Sequence, residues 1–273
     1  MQLFVRNRIE FLIGGAYALG HYTGLSRETK DFDLMLRPND VPIALDVCRN
    51  AGYEAGFAFS HWLAKIWSAH SFIDVIFRAG NGLAEVDDLW FEKAAIATMM
   101  EIRVKIVPPE EFIWQKAYVM ERERFDGADV IHLLASCAPR IDWKRLMARF
   151  GPDWRVLMSH LVLFGFVFPF ERHAVPAEVI EELTASLVKE AGEQPGEQPI
   201  CNGTLLSRIQ YLPDITAGGL IDARTTDRSK IKPAEIEEWT KASLRYRNQV
   251  SRCRKLGKRI APETDGNQIG QRS

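Results

Sequence analysis

Apolar and polar positions in the first half of the chain switch repeatedly between a two-residue and a 3.6-residue period. "RIEFLI" (Arg8 to Ile13) reads as a short strand, Gly14 and Gly15 break it, and "AYALGHY" (Ala16 to Tyr22) opens a helix. A strand, a glycine pair and a helix start together offer backbone N–H groups to a phosphate. "DFDLMLR" is the second strand. Pro38, Asn39 and Asp40 then turn the chain into a helix over Val41 to Gly52, stopped by its glycine. "WLAKIWS" (Trp62 to Ser68) and "SFIDVIFR" (Ser71 to Arg78) are two further strands around a turn at Ala69–His70. A helical patch is expected near Leu89 to Met100, then a strand from Ile102 to Val107 stopped by Pro108 and Pro109. Pro109 suits the first turn of a helix running from Glu110 to Phe125, and Asp129 to Cys137 reads as another helix.

From about Asp142 the pattern is mostly helical. Glu190 to Gly203 has linker composition with an imperfect GEQP doublet, and Ala261 to Ser273 reads as a disordered tail. The expected fold is α/β (α+β): a small mixed sheet flanked by helices, then a mainly helical C-terminal region. The expected boundaries are a core over 1–140, the helical region over 141–260 and the tail over 261–273.

Hydrophobic residues at 47% and charged residues at 26% fit a soluble globular chain of 273 residues, so the mixed pattern is read as a folded core. The formal net charge of -1 excludes a polyanion binder driven by overall charge. Cys48, Cys137, Cys201 and Cys253 form no CxxC pair, which argues against a zinc ribbon or a disulfide framework. The N-terminal residues lack the pattern of a signal peptide. The most apolar stretch, Val156 to Phe170, holds His160 and Pro169 and falls short of the ~20 residues that span a bilayer. It reads as a buried core helix, and the chain is expected in the cytoplasm, away from membranes.

The chemistry concentrates in "SRETKDFDLML". Side chains on a strand alternate, so Asp31 and Asp33 share a face with Cβ atoms roughly 6.6 Å apart. Two carboxylates at that spacing suit a divalent ion such as Mg²⁺, which accepts one or two carboxylates plus substrate phosphates. Taken alone, the pair better fits an edge strand whose polar face, with Asp31, Asp33 and Met35 outward, meets water. A third acid, Asp74, sits among apolar residues on a neighbouring strand. It either completes a two-ion site and takes a proton from an attacking hydroxyl, or it caps a strand end.

"GGAYALGHYTGLSRETKDFDLML" followed by "FIDVIF" resembles the DNA-polymerase-β-like nucleotidyltransferase superfamily. The resemblance covers about residues 8 to 136. Arg27 and Thr29 ahead of Asp31 are most similar to minimal bacterial members of the abortive-infection toxin or antibiotic-modifying type. The resemblance implies that Asp31, Asp33 and Asp74 bind the metals, two Mg²⁺ ions, and that Gly14 and Gly15 hold nucleotide phosphates. Ala16 departs from the pattern, since many members carry serine there; Arg27 and Lys30 would then hold more of the phosphate charge. Toxin-type members also carry a lysine, an arginine and an aspartate in the order shown here by Lys116, Arg124, Asp126 and Asp129. This implies a catalytic Lys116 and an Asp126 at the nucleotide. Asp126 and Asp129 equally suit helix N-caps, and Glu121, Arg122 and Glu123 read as a solvated helix face. His61, His70 and His132 have no metal-ligand spacing.

"KASLRYRNQVSRCRKLGKRI" (Lys241 to Ile260) has no acid and suits either an RNA backbone or a solvated terminal helix. Arg208, Tyr211 and Asp222 are candidates for polar contacts with the first half. Two functions fit these readings. One is an enzyme that moves a nucleoside monophosphate from an NTP to a hydroxyl of an RNA (tRNA among them) or a small-molecule acceptor. The other is a catalytically inactive nucleotide- or partner-binding protein on the same fold. The toxin-type resemblance also implies a cognate antitoxin partner.

Overall fold

The alternating segments of the first half become strands of one sheet. A computed structural model describes residues 1–26, 29, 31–68, 71–194, 196–229 and 231–242. Arg27, Lys30, His70, the basic run from residue 243 onward and the tail at 261–273 therefore lie outside the described residues.

In chain order the first half contains α1 (Gln2–Arg6), β1 (Leu12–Ile13), α2 (Gly15–Thr23), β2 (Asp31–Met35), α3 (Val41–Asn50), β3 (Glu54–Phe59), β4 (Leu63–Ser68) and β5 (Ser71–Ile76). It continues with α4 (Asp88–Glu92), β6 (Ala95–Met99), β7 (Ile102–Ile106), α5 (Pro109–Ala117) and α6 (Gly127–Cys137). The sheet order is β3-β4-β5-β2-β1-β7-β6. β2 runs parallel to β5 and β1 parallel to β7, while the other neighbours are antiparallel. The sheet is therefore mixed, with the acid-bearing β2 at its centre.

Three local expectations give way to tertiary pairing. The helical patch over Leu89 to Met100 is only α4, and Ala95–Met99 is instead an edge strand on β7. Met100 and Glu101, both at positive φ, make the tight turn between the two strands. The helix expected through Phe125 ends at Ala117, whose carbonyl accepts a hydrogen bond from the buried His160 Nε2 at 2.9 Å. Met120 and Phe125 then pair as an isolated bridge. The strand expected from Arg8 shrinks to two residues, because Arg8 at positive φ still belongs to the turn leaving α1.

The second half supplies α7 (Trp143–Phe150), α8 (Trp154–Val167), α9 (Ala177–Ala191), β8 (Ile200–Cys201), α10 (Gly203–Leu206) and β9 (Ile221–Asp222). α8 is only half a core helix. Leu157, His160, Leu161 and Phe164 are buried, while Val162 and Phe166 on its other face, and Phe170 just beyond it, are exposed. Among the described residues no helix is long and apolar enough to cross a membrane. One hydrophobic cluster runs from Phe4 to Ala223, across the boundary expected near residue 140. An ion network ties α5 to α7: Arg145 reaches Glu110 and Glu111 at 2.6 and 2.7 Å, and Arg149 reaches Glu111 and Asp87 at 3.2 and 2.6 Å. Breaking one partner of such a buried set strands the others without counter-charge, so the network fixes α5, the helix that carries Gln115 and Lys116.

Candidate active site

β2 and β5 lie in parallel register, with Asp33 directly beside Asp74. β4 is antiparallel to β5 and places Lys65 opposite Asp74. Gly14 donates its N–H to the Asp33 carbonyl at 2.9 Å, so one row of the sheet reads Gly14, Asp33, Asp74, Lys65. The period of two adds Asp31 on the Asp33 face. Thr29 sets the start of β2, its hydroxyl donating to the Asp31 carbonyl at 3.1 Å and accepting from the Asp31 N–H at 3.3 Å.

The glycine pair serves this row in two different ways. Gly15 has φ +54, and a Cβ there would lie 1.7 Å from Asp33 Oδ2. Glycine is therefore required both by the backbone and by the carboxylate. At Gly14 a Cβ would meet the terminal methyl of Met35 at 2.4 Å. The amide of Gly14 is already used by the sheet, so Gly14 lacks the free N–H expected for a phosphate. Gly15 and Ala16, at the first turn of α2, border the cavity instead.

That cavity has a volume of about 480 Å³. Asp31, Asp33 and Asp74 border it together with the cations Lys116, Arg124, Arg78 and Arg208 and the indole of Trp239. Burial pushes the Asp33 carboxyl up, Lys116 opposes that shift and Asp31 reinforces it. Burial likewise raises Asp74 to about 6, against the pull of Lys65. Acids held this way seek a cation. Asp31 and Asp33, on one face and bordering the cavity, fit one divalent ion. Among the described residues no three Asp, Glu, His or Cys side chains converge as a ready-made metal cage.

Lys116 Nζ lies 2.7 Å from Asp126 and 3.4 Å from Asp129. Arg124 donates to both oxygens of Asp126, at 2.9 and 2.8 Å. Burial alone would raise Asp126, but the Arg124 fork and Lys116 bring it down to about 2. Asp126 thus anchors two cations at the cavity wall. It precedes α6 without capping it through its side chain.

No protein-family profile matches the chain, and no curated protein matches it. Solved structures do match it, among them the three that follow. A lincosamide antibiotic adenylyltransferase with lincomycin bound is 14% identical, over 48% of this chain and 90% of its own, at a TM-score of 0.36. The solution structure of the antibiotic-resistance factor ANT(2'')-Ia is 16% identical, over 58% and 91%, at 0.39. An antigenic nucleotidyltransferase-like protein from Paracoccidioides brasiliensis is 17% identical, over 63% and 87%, at 0.41. The chain is similar in fold to these proteins. The likeness is too distant to bring an activity, an acceptor or a partner with it.

Other positions sort by their contacts. Glu121 is no solvated helix residue: it accepts from Ser207 Oγ at 2.5 Å and from the Arg208 N–H and Nε at 2.9 and 3.1 Å. Arg208 therefore does join the halves. Asp222 pairs with the buried Arg224 instead, and Tyr211 packs on Gly203. His61 is buried among Phe59, Trp62 and Trp239, with Nε2 3.2 Å from the Gly80 carbonyl. Lys65 was not singled out by the sequence. Its one available signal was a lysine in an otherwise apolar strand, at the alternation that faces the acids.

Proposed function

We propose that the chain is a nucleotidyltransferase that moves a nucleoside monophosphate from an NTP to a hydroxyl and releases pyrophosphate. One observation carries the reading: Asp33 and Asp74 stand side by side in register, with Asp31 on the same face, and Gly15 is bare because Asp33 fills the place of its side chain. A structural sheet has no need for three like charges bordering one cavity.

Asp31 and Asp33 hold Mg²⁺, which when bound supplies charge neutralisation on the triphosphate. Asp33 is confined between Gly15 and Asp74 and has little room to turn away. The first-turn N–H groups of α2 face the phosphates, an assignment that reaches Ala16 without the hydroxyl of a serine. Lys116 and Arg124 add positive charge at the same cavity, oriented by Asp126, which holds the cations rather than the nucleotide. Asp74 accepts the proton of the acceptor hydroxyl as its oxygen bonds to the α-phosphorus and the bond to the β-phosphate oxygen breaks. Catalysis is then mainly positioning and electrostatics.

The acceptor reaches the cavity past Arg78, Arg208 and Trp239, a wall suited to a small hydroxylated molecule or the terminal nucleotide of an RNA such as tRNA. Ala16 favours one rival, a nucleotide- or partner-binding protein without catalysis. An antitoxin partner follows only from the toxin-type resemblance, and a cytoplasmic setting only from the sequence pattern. The deciding experiment incubates the protein with Mg²⁺, each α-labelled NTP, and either total RNA or a panel that includes lincomycin and tobramycin. Label moves to an acceptor with wild type and is lost with Asp31→Ala and Asp33→Ala. NTP binding with no transfer establishes the rival, and transfer by both variants at the wild-type rate refutes the site.

A further inference from the structure

Lys65 is 3% exposed, and its ammonium lies 2.9 Å from Asp74 Oδ1 and 4.0 Å from the centre of the Phe72 ring. Asp74 Oδ1 is shut off from solvent, so the compact ammonium of Lys65 is the positive charge that meets it. A buried ion pair is a poor source of stability, because desolvating both charges offsets their attraction. An apolar residue between Ala64 and Ile66 would fill the strand more cheaply. The pairing of Lys65 with Asp74 is also set by backbone register, two strands away from Asp31 and next but one to Asp33.

We propose that Lys65 supplies at Asp74 the positive charge that a second divalent ion supplies in a two-ion site, so that this centre works with a single ion on Asp31 and Asp33. The inference rests on the nucleotidyltransferase reading and departs from the two-ion expectation drawn from the sequence. Two ions that share carboxylates lie about 3.5–4 Å apart. An ion bound through Asp74 would share that carboxylate with an ammonium, and the two positive charges would repel at short range in a site of low dielectric. Asp31 and Asp33 have no ammonium or guanidinium at ion-pair distance among the described contacts; Lys116 and Arg124 act on Asp33 from farther off and pair with Asp126 instead. Lys65 is a positioning residue here: it keeps Asp74 turned along the row and lets that carboxylate serve the acceptor hydroxyl rather than a metal.

The test counts metal and does not depend on turnover. The full chain is titrated with Mn²⁺ in the presence of the α,β-methylene analogue of each NTP in turn, and bound Mn²⁺ is read by electron paramagnetic resonance. Wild type binds about one Mn²⁺ per chain, and Lys65→Met about two. Lys65→Arg, which keeps the charge, stays near one, and the double variant Lys65→Met with Asp74→Asn returns to one. If Lys65→Met does not fold, Asp74→Asn alone decides: an unchanged count supports the proposal, and loss of an ion overturns it. Two ions in wild type overturn the proposal while leaving the nucleotidyltransferase reading intact. No bound ion with any analogue removes both.

Discussion

Replacing Gly15 by alanine tests the closest contact in the site. The residue sits at φ +54, where an L side chain costs roughly 1–2 kcal/mol. For a chain of this size that lowers Tm by about 2–4 °C. The larger effect is local. The new methyl would start 1.7 Å from Asp33 Oδ2 and 2.7 Å from its Cγ, so the carboxylate must retreat by roughly 1.5 Å. A displacement of that size at a reacting centre costs on the order of 10²-fold in rate. Gly14→Ala is the matched control. Gly14 has φ -116, and the methyl that its Cβ would meet ends a flexible methionine side chain. That variant keeps its transfer rate within about tenfold of wild type. The assays are thermal denaturation and NMP transfer at saturating NTP, run on both variants. Wild-type transfer by Gly15→Ala, or equal damage from the two substitutions, would refute the claim that Gly15 is bare to make room for Asp33.

Lys116→Met leaves Asp126 and Asp129 with one cation fewer in a largely buried cluster. Arg124 still holds Asp126, so the expected loss is about 2 kcal/mol in urea unfolding, and no loss would show that Lys116 is not engaged there. His61 sets a pH dependence. Burial pushes its imidazole down to about 4, against the Gly80 carbonyl contact, which acts the other way. A neutral ring favoured by the fold means that its contribution is complete above the ordinary value near 6.5 and is lost as pH falls toward 4, about 3 kcal/mol in all. Denaturant midpoints measured from pH 7 to 4 fall more steeply in wild type than in His61→Leu; parallel curves would remove His61 from the explanation.

Much of the fold was open to reading because its signals are local. The glycine stop after α3, Pro109 at the head of α5 and the period of two in β2 and β5 each act within a few residues. Asp31, Asp33 and Asp74 were visible for the same reason: a carboxylate in an apolar alternating run is a local anomaly. The misses share a cause as well. Ala95–Met99 has helical composition and becomes a strand because β7 offers it hydrogen-bond partners. The helix expected to reach Phe125 stops at Ala117, where His160 binds the last carbonyl, and Met120 then gives its N–H to the Leu206 carbonyl.

The sequence by itself therefore determined the three carboxylates, Asp31, Asp33 and Asp74, and the two strands that bear them. Tertiary structure alone decided how those charges are shared. Strand order placed Lys65 opposite Asp74, the bend after α5 joined Lys116 and Arg124 to Asp126, and the fold brought Ser207 and Arg208 back onto Glu121. Residue patterns record burial along one element, whereas ion pairing between elements depends on register and crossing, which no single segment encodes.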